Sequence, residues 1–520
     1  MVTRIAFRVD ASGSIGTGHL RRCLSLAAAL TARGAQVCFV LRRHDAVAEG
    51  LMVDAGYSAS WLDAPDAPFV PGEDSPPHAV WAGVSWTRDA AETGAALRVF
   101  DPDWLVVDHY GLDARWHASV RATLGCSILV IDDLGDRPLN TDILLDANVA
   151  TDHQAKYAGC LQRKTRMLVG PRYALLSPSY LSAPPYQFSS IVRSIGIFMG
   201  GTDPAGASVA VLRACRNDVG FRGPIEIVST SVNPQLDTLR EACIADSCAT
   251  LSLDLPDLGA FYARHDLQIG AGGTSTYERC LIGAPSIALV LAANQLSVVP
   301  VLAAVKMLRE AMLPEIPKTT LLAGAPHLSD VVRELIADSD ARHELSVRGR
   351  AEVDARGAER SALAILAPPM TLRAATGDDG VLLHAWRNDP VTRSVSGKSD
   401  EIAITDHLRW LDALLANPLR ALYVAEVAGQ PVGSIRFDRL PNGMFEVSLY
   451  LDPGLHGLGL GRRMLLLGEI KTMEMQGGDI EFVATVLAGN DASARLFESC
   501  GYSGGPLRYT KSFSGNQKQS

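Results

Sequence analysis

Short apolar runs alternate with amphipathic stretches from the N-terminus to about residue 366. Each run is rich in β-branched residues and ends at Gly, Asp or Pro, as buried parallel strands do. The clearest runs are residues 4–9, 37–41, 104–107, 127–131, 194–199, 225–228, 267–270 and 286–290. A Pro/Ser-rich stretch, 177–185, divides them into two series. The alternation predicts two doubly wound α/β domains.

The pattern changes after Ala367 and its two following prolines. Helical periodicity at 380–387 and 405–416 precedes alternating runs at 421–428, 431–437 and 444–451, which predict antiparallel strands. We therefore expect an α/β chain of two Rossmann-like domains followed by a smaller α+β domain. The predicted domains are 1–176, 186–366 and 370–514.

The composition of the chain limits which classes of binding partner are expected. The 520 residues carry a net charge of -9, which disfavours nucleic acid or an anionic membrane as the main partner. Nine cysteines without a CxxC pair indicate reduced thiols in a cytoplasmic protein and no zinc site. The most apolar stretch, 282–304, is interrupted by Pro, Asn and Gln and predicts a strand, loop and helix, not a membrane span.

A glycine-rich turn, Gly16-Thr-Gly18-His19, links the first strand to the first helix. Glycines there let a ligand approach the backbone, and a helix N-terminus favours an anion or a phosphorylated substrate. The alternative is a tight turn in which His19 only caps the helix.

The second series carries a stronger signal for nucleotide binding. Gly and hydroxyl residues open a helix after the 267–270 strand, which suits a diphosphate, and Glu278 on that helix suits a ribose. A capped helix with an acidic first turn is the alternative. A second loop and an Asn-Gln pair would complete the pocket, although the pair also fits a surface loop. The predicted residues are Gly200, Gly201, Asp203, Gly272, Gly273, Thr274, Ser275, Glu278, Asn294 and Gln295.

These motifs resemble a known family. The segments 271–278, 283–285 and 294–295 are similar to the UDP-binding half of glycosyltransferase-B enzymes of the MurG type. The segments 8–24, 107–113, 131–134 and 170–176 resemble PseG, the UDP-sugar hydrolase family of pseudaminic acid biosynthesis. The resemblance spans residues 3 to about 300 and implies a glycosyltransferase-B arrangement. A glycosyltransferase with the same fold is the alternative interpretation of this part of the chain.

The resemblance implies hydrolysis of UDP-2,4-diacetamido-2,4,6-trideoxy-β-L-altropyranose, with inversion at the anomeric carbon and no metal required. His19 would be the general base. Asp10 would orient the sugar or the imidazole, or cap a strand. Asp108 and Tyr110 would bind substrate or pack their loop. The remaining predicted substrate contacts on this side are Gly16, Gly18 and Arg22.

The third domain resembles the GNAT acetyltransferases. Its strand-loop-helix motif matches the family's pyrophosphate loop, with His456 where Arg or Gln is usual, and a second motif follows at 486–502. The resemblance implies acetyl-CoA as co-substrate. The residues that would hold it are Leu451, His456, Gly457, Gly459, Gly461, Arg462 and Asn490.

Glu446 is the candidate base for the amine, or a solvated strand charge. Phe497 stands where the family often has a tyrosine acid. The segments 383–390 and 407–410 resemble PseH, the 4-amino-sugar N-acetyltransferase of the same pathway, with Trp386 and Trp410 in the sugar pocket or the core. Acetylation of a protein N-terminus or an antibiotic is the rival reading.

Together the resemblances imply a bifunctional enzyme that acts on a UDP-linked amino sugar. Acetylation would precede UDP release, and the free sugar would pass to a nonulosonic acid synthase for surface glycans or flagellin. The fusion would raise the local concentration of the intermediate. A legionaminic-type sugar and a non-catalytic UDP-sugar-binding scaffold remain alternatives.

Overall fold

The computed structural model describes residues 2–203, 205–317, 319, 322, 324–367, 369–397, 399–476, 480–505 and 507–513. The chain forms two compact units, Met1–Ile365 and Leu366–Ser520. In these ranges, no helix has the length and hydropathy needed to cross a bilayer.

The first unit begins with a parallel sheet whose strand order is β3-β2-β1-β4-β5-β6-β7. Its strands are β1 Arg4–Val9, β2 Gln36–Arg42, β3 Ser58–Leu62, β4 Trp104–Asp108, β5 Ser127–Ile131, β6 Ile143–Asp146 and β7 Arg166–Val169. Its helices are α1 Gly18–Thr31, α2 Val47–Ala55, α3 Trp86–Leu97, α4 Ala114–Leu124 and α5 His153–Lys156. Apolar side chains of the strands and of α3 and α4 form its core.

A second parallel sheet follows in the same unit, in the order β10-β9-β8-β11-β12-β13. Its strands are β8 Ile195–Phe198, β9 Ile225–Ser229, β10 Ala249–Leu253, β11 Leu267–Ala271, β12 Ser286–Leu289 and β13 Arg309–Ala311. Its helices are α6 Ala207–Arg213, α7 Leu236–Ala245, α8 Gly259–Ala263, α9 Ser275–Ile282, α10 Val299–Ala304, α11 Leu328–Ala337, α12 Ser339–Glu352 and α13 Gly357–Leu366.

The C-terminal unit is built on one mixed sheet, in the order β14-β15-β16-β17-β18-β20-β19. Its strands are β14 Met370–Ala374, β15 Arg420–Val427, β16 Gln430–Arg439, β17 Phe445–Leu451, β18 Ile480–Ala484, β19 Ser503–Gly505 and β20 Arg508–Phe513. Its helices are α14 Gly380–Asn388, α15 Pro390–Ser394, α16 Ile404–Leu415, α17 Leu460–Gln476 and α18 Asp491–Ser499. Neighbouring strands are antiparallel except β17 and β18.

The predicted fold class is confirmed: two Rossmann-like parallel sheets precede an α+β unit. Two details differ from the sequence expectation. The 177–185 stretch is partly buried, because Tyr180 packs in the second core. Helix α13, predicted to close the second domain, contacts the first. Gly357 lies against the Ala174 backbone, and Arg33 of α1 donates to Glu359 at 2.7 Å.

A buried charge cluster supports the carboxyl edge of the first sheet. The Arg8 guanidinium on β1 donates to Asp10 at 2.6 Å and to Asp89 at 2.7 Å, and none of these side chains is exposed. Asp89 also accepts from Arg42 at 2.8 Å and from Trp116 Nε1 at 2.9 Å. Burial alone would raise the pKa of Asp89, but Arg8 and its hydrogen bonds outweigh burial and lower it.

We expect Asp89→Asn to destabilise the first unit by about 3–5 kcal/mol at pH 7, because two buried guanidinium groups lose their shared carboxylate. Denaturant unfolding measures this loss. Because the folded-state pKa of Asp89 is lowered, its contribution is present above its unfolded pKa and disappears as the pH falls. The difference in the free energy of unfolding between wild type and Asp89→Asn should therefore decrease below about pH 4.

The control is Asp101→Asn, which removes a mostly exposed partner of Arg4. It should change the free energy of unfolding by less than about 1 kcal/mol. Equal losses for Asp89→Asn and Asp101→Asn would contradict the importance of the buried cluster.

Candidate active sites

The sheet order of the first unit places two loops side by side. Strands β1 and β4 are neighbours, yet their helices leave in opposite directions along the sheet, which opens a crevice at their carboxyl ends. The glycine-rich turn follows β1 and leads directly into α1, and Asp108 is the last residue of β4. His19 and Asp108 therefore meet at this edge although 89 positions separate them.

His19, Asp108 and Arg22 form a hydrogen-bonded group. His19 Nδ1 lies 2.7 Å from Asp108 Oδ1. Arg22, one helical turn further along α1, donates from Nε and Nη2 to the two oxygens of Asp108, each at 2.6 Å. With Nδ1 engaged by the carboxylate, the imidazole has Nε2 available to accept a proton. The side chain of His19 retains 10% exposure.

Aromatic rings and a second carboxylate enclose this group. The ring of Tyr110 meets the His19 imidazole edge-on at 4.8 Å, and Trp81 does so at 5.6 Å. Arg22 Nη1 donates to Asp133 at 2.6 Å, and the Tyr110 hydroxyl donates to the same carboxylate. Burial would raise the pKa of Asp108, but the Arg22 guanidinium and His19 hold it well below its usual range. Asp108 is therefore an anion that can stabilise an imidazolium.

Asp10 was predicted to orient the sugar or the imidazole, or to cap a strand, and the structure gives the contact with the imidazole to Asp108. Its buried carboxylate accepts from Arg8, from the backbone of Arg42 at 2.7 Å and from His44 at 3.3 Å. These contacts bind Asp10 into the charge cluster under β1, and Asp108 makes the contact to the imidazole instead. Arg22 and Tyr110 were predicted to contact substrate, with packing of its loop as the alternative for Tyr110. In the structure Arg22 donates to both Asp108 and Asp133, and the Tyr110 hydroxyl donates to Asp133.

The second sheet repeats this geometry at β8 and β11. The Gly272–Gly273 turn joins β11 to α9, and a side chain at Gly272 would collide with Val299, since its Cβ would lie 2.2 Å from Cγ2. Gln295 lies next to this turn and accepts from the backbone of Leu291 at 2.8 Å. Asn294 and Gln295 belong to a short 3-10 helix, and their part in a pocket wall stays a prediction.

The two glycine-rich turns face each other. A Cβ at Gly18 would lie 3.7 Å from Thr274 Oγ1, so the His19 turn contacts the start of α9. Ser275 is the first residue of α9, and the half-buried Glu278 lies one turn further. Burial raises the pKa of Glu278, and hydrogen bonds from Tyr180 and Tyr262 only partly offset that effect.

The loop after β8 is organised by its own contacts. Asp203 accepts from the backbone N–H groups of Ala207 and Ser208 at 2.9 Å, so this buried carboxylate caps α6, and its predicted contact with substrate stays a prediction. Gly200 has φ +94°, and Gly201 accepts from Thr230 at 2.7 Å. Thr202 lines a cavity of about 440 Å³ together with Gly13, Asp45, Ala46, Val47, Val232 and Pro234. The cavity lies between loops of the two sheets.

In the C-terminal unit, β17 and β18 separate after a short contact. They pair only at Phe445 with Phe482 and at Glu446 with Val483 in the described residues. The edge of β17 from Val447 to Leu451 therefore opens away from β18. Glu446 stands where the strands part and accepts from Thr485 Oγ1 at 3.1 Å.

The loop after β17 has the backbone that its glycines allow. Gly457 and Gly459 have φ +81° and +74°, which side chains rarely adopt, and α17 begins at the next residue with Gly461 and Arg462 in its first turn. His456 lies within the loop. Asn490, predicted to touch the co-substrate, caps α18 by accepting from Ser493 at 3.1 Å.

The aromatic residues of this unit mostly belong to its core. Phe497 is buried against Tyr502 and Tyr509. Trp386 is buried with Leu383 and Leu411, while Trp410 is partly buried and lies under the Arg436 guanidinium at 5.8 Å. In the part of the chain that the structure describes, no cluster of His, Cys, Asp and Glu could hold a metal ion.

Sequence reasoning missed three polar residues that join the two halves of the first unit. Asp133 and Tyr277 fall in the segments 131–134 and 271–278, where no role was predicted for either, and Asn148 lies outside the motifs. Tyr277 on α9 donates to Asn148 at 2.8 Å, and Asn148 donates to Asp133 at 3.0 Å. No periodic pattern marks a contact across 129 positions.

Each of the two units is similar to known proteins. Residues 383–502 match the acetyltransferase (GNAT) family model. A curated relative is UDP-2,4-diacetamido-2,4,6-trideoxy-beta-L-altropyranose hydrolase from Campylobacter jejuni. It is 24% identical over 296 residues, which cover 56% of this chain and 93% of the relative.

Two solved structures are similar to parts of the chain. MurG from Acinetobacter baumannii aligns with a TM-score of 0.46 and 14% identity, over 69% of this chain and 98% of that chain. The yncA protein from Salmonella typhimurium, solved with its cofactor acetyl-CoA, aligns with a TM-score of 0.24 and 22% identity, over 29% and 96%. Both scores are below 0.5, and the fold assignment rests on the strand orders given above.

The predicted resemblance, a PseG-type hydrolase joined to a GNAT domain, is confirmed. The narrower assignment of the GNAT domain to the PseH type stays a prediction. The chain is an enzyme that is similar to a UDP-sugar hydrolase in its N-terminal part and carries an acetyltransferase (GNAT) domain in its C-terminal unit.

Proposed function

We propose that the chain catalyses two consecutive steps on one sugar nucleotide. The C-terminal unit transfers an acetyl group from acetyl-CoA to the 4-amino group of a UDP-4-amino sugar. The first unit then hydrolyses the product, UDP-2,4-diacetamido-2,4,6-trideoxy-β-L-altropyranose, to the free sugar and UDP. The free sugar is a substrate for a nonulosonic acid synthase of the pseudaminic acid pathway. The name of the Campylobacter relative supports this choice of sugar.

The observation that carries the hydrolase proposal is the His19–Asp108 pair opposite the start of α9. His19 Nε2 takes a proton from water as the water oxygen bonds to the anomeric carbon. The bond from that carbon to the diphosphate oxygen breaks, and attack from the opposite face inverts the configuration. The buried Asp108 carboxylate, held by Arg22, stabilises the imidazolium that forms.

The leaving diphosphate lies at the Gly272–Ser275 turn in this proposal. The N–H groups of Gly273, Thr274 and Ser275 and the dipole of α9 stabilise its growing charge, since the N–H groups of Gly272, Thr276 and Tyr277 already donate to backbone carbonyls. The absence of a side chain at Gly272 keeps the α10 side chain of Val299 in place behind the turn. Glu278 accepts hydrogen bonds from the ribose hydroxyls, and Asn294 lies beside the same pocket.

The acetyltransferase proposal rests on the opening between β17 and β18. The unpaired edge of β17 up to Leu451 can hydrogen-bond the pantetheine arm of acetyl-CoA as an added strand. The Gly457–Gly459 backbone and the start of α17 receive its pyrophosphate. Glu446, at the point where the strands part, takes a proton from the sugar ammonium, so that the neutral amine can attack the acetyl carbonyl.

The hydrolase is tested by giving the protein the 4-amino UDP-sugar with and without acetyl-CoA. Free UDP should appear readily only with acetyl-CoA. His19→Ala should accumulate the acetylated UDP-sugar, with UDP release slowed about a hundredfold or more, because the general base is lost. His343→Ala, at an exposed position of α12, is the matched control and should release UDP at the wild-type rate.

Undiminished UDP release by His19→Ala would overturn the role of His19. UDP release that required an added sugar or lipid acceptor would identify a glycosyltransferase instead. Running the same assay with the legionaminic-type epimer decides the stereochemistry of the sugar.

Glu446→Gln should lower the rate of acetyl transfer by about a hundredfold at pH 7, because the ammonium must lose its proton before attack. The deficit should shrink as the pH rises, since a growing fraction of the sugar amine is already neutral. Glu481→Gln, at an exposed position of β18, is the control and should be unaffected. A Glu446→Gln deficit of equal size at all pH values would contradict the base assignment.

A further inference from the structure

Helix α9 and His19 are joined by an unbroken series of hydrogen bonds. From the α9 side, Tyr277 Oη donates to Asn148 Oδ1 at 2.8 Å, and Asn148 Nδ2 donates to Asp133 Oδ1 at 3.0 Å. Arg22 then donates to both Asp133 and Asp108, at 2.6 Å each. Asp108 lies 2.7 Å from His19 Nδ1. Each link is within ordinary hydrogen-bond distance.

The series lies in the interior of the first unit. Tyr277, Asn148 and Asp108 are buried, and Arg22 and Asp133 are largely covered. A polar group lost from such a network leaves its partner without a hydrogen bond in a water-poor environment. These five side chains therefore hold one another in a single arrangement, and removing one of them shifts its hydrogen-bonded neighbour.

Arg22 is the central link, since its one positive charge serves two carboxylates. Asp133 fixes the outer side of the guanidinium, and the Tyr110 hydroxyl and Asn148 amide both donate to Asp133. Arg22 donates to Asp108 from Nε and Nη2 and to Asp133 from Nη1, so both carboxylates fix the position of one guanidinium plane. The pose of the His19 imidazole depends on those bonds.

The other end of the series belongs to the helix that receives the diphosphate in the proposed function. Tyr277 is the third residue of α9, and Thr274 just before the helix contacts Gly18, next to His19. The network thus fixes the position of the general base relative to the leaving group, which lie on opposite halves of the unit. A misplacement of about 1 Å between reacting groups costs about a hundredfold in rate.

We propose that Asp133, Asn148 and Tyr277 are positioning residues that act through Arg22 and Asp108 to hold His19 against the sugar nucleotide bound at α9. This inference rests on the proposed hydrolase function. It assigns to three residues outside the predicted site a role in turnover and not in affinity. None of them has to touch the substrate.

Tyr277→Phe tests the inference, because it removes one hydroxyl and keeps the ring. UDP release from UDP-2,4-diacetamido-2,4,6-trideoxy-β-L-altropyranose should lose about five- to tenfold in kcat, with KM and the Kd for UDP within about twofold of wild type. Tyr186→Phe is the matched control. Tyr186 is also buried in the second half, near Asp266 at 3.5 Å, and its variant should keep the wild-type kcat.

A merely structural role for Tyr277 is distinguished by combining variants. In the Asp108→Asn background the series is already interrupted, so adding Tyr277→Phe should cause no further loss of kcat. If Tyr277→Phe instead caused an independent structural defect, the double variant would show the product of the two single-variant losses in kcat. Asp133→Asn, at the middle of the series, should lower kcat by at least as much as Tyr277→Phe and should also show no additivity with Asp108→Asn.

The outcomes separate the two proposals. Absence of UDP release by wild type, or full release by His19→Ala, overturns the hydrolase function and the inference with it. Where wild type and His19→Ala behave as proposed, equal kcat for Tyr277→Phe and Tyr186→Phe overturns the positioning role alone. So does a loss that appears only in KM, or one that multiplies with Asp108→Asn.

Discussion

The candidate active site of the first unit depends on Arg22, which donates to the buried Asp108 and to the largely covered Asp133. Asp108 and Asp133 lie at the ends of adjacent strands of the first sheet, where two negative charges would repel each other without a cation between them. Arg22 reaches both from one turn beyond His19. The same guanidinium thereby keeps Asp108 ionised and fixes it against the imidazole.

The two parallel sheets use one structural device for two tasks. Each has the strand order that opens a crevice between its first and fourth strands, and each crevice carries a glycine-rich turn at a helix N-terminus. The first turn presents a histidine, and the second presents backbone N–H groups and hydroxyls. Because Gly18 and Thr274 are in contact, we infer that a base and an anion site act on the same molecule.

Features that depend on local sequence pattern, such as strands and glycine-rich turns, were the most predictable. The apolar runs given above match their strands to within about two residues, although β3, β6, β7, β10 and β13 of the parallel sheets were not among them. The motifs made His19, Gly272 and Glu278 candidate site residues, and these roles stay predictions. The hydrogen-bond partners of individual side chains were harder to predict from the sequence. Asp10, which follows β1, was expected to orient the sugar or the imidazole or to cap a strand. Arg8 of β1 holds it in a buried cluster, and Asp108 makes the contact with the imidazole. Asp203 and Asn490 are similar cases, since each caps its own helix.

In the proposed hydrolysis, water attacks the anomeric carbon and UDP leaves with its bridging oxygen. Hydrolysis in water enriched in oxygen-18, followed by mass spectrometry of the released UDP, shows which bond breaks. UDP without the heavy isotope is expected, because the new bond forms to the sugar carbon. UDP that carries one oxygen-18 would mean attack at phosphorus and would contradict the roles assigned to His19 and α9.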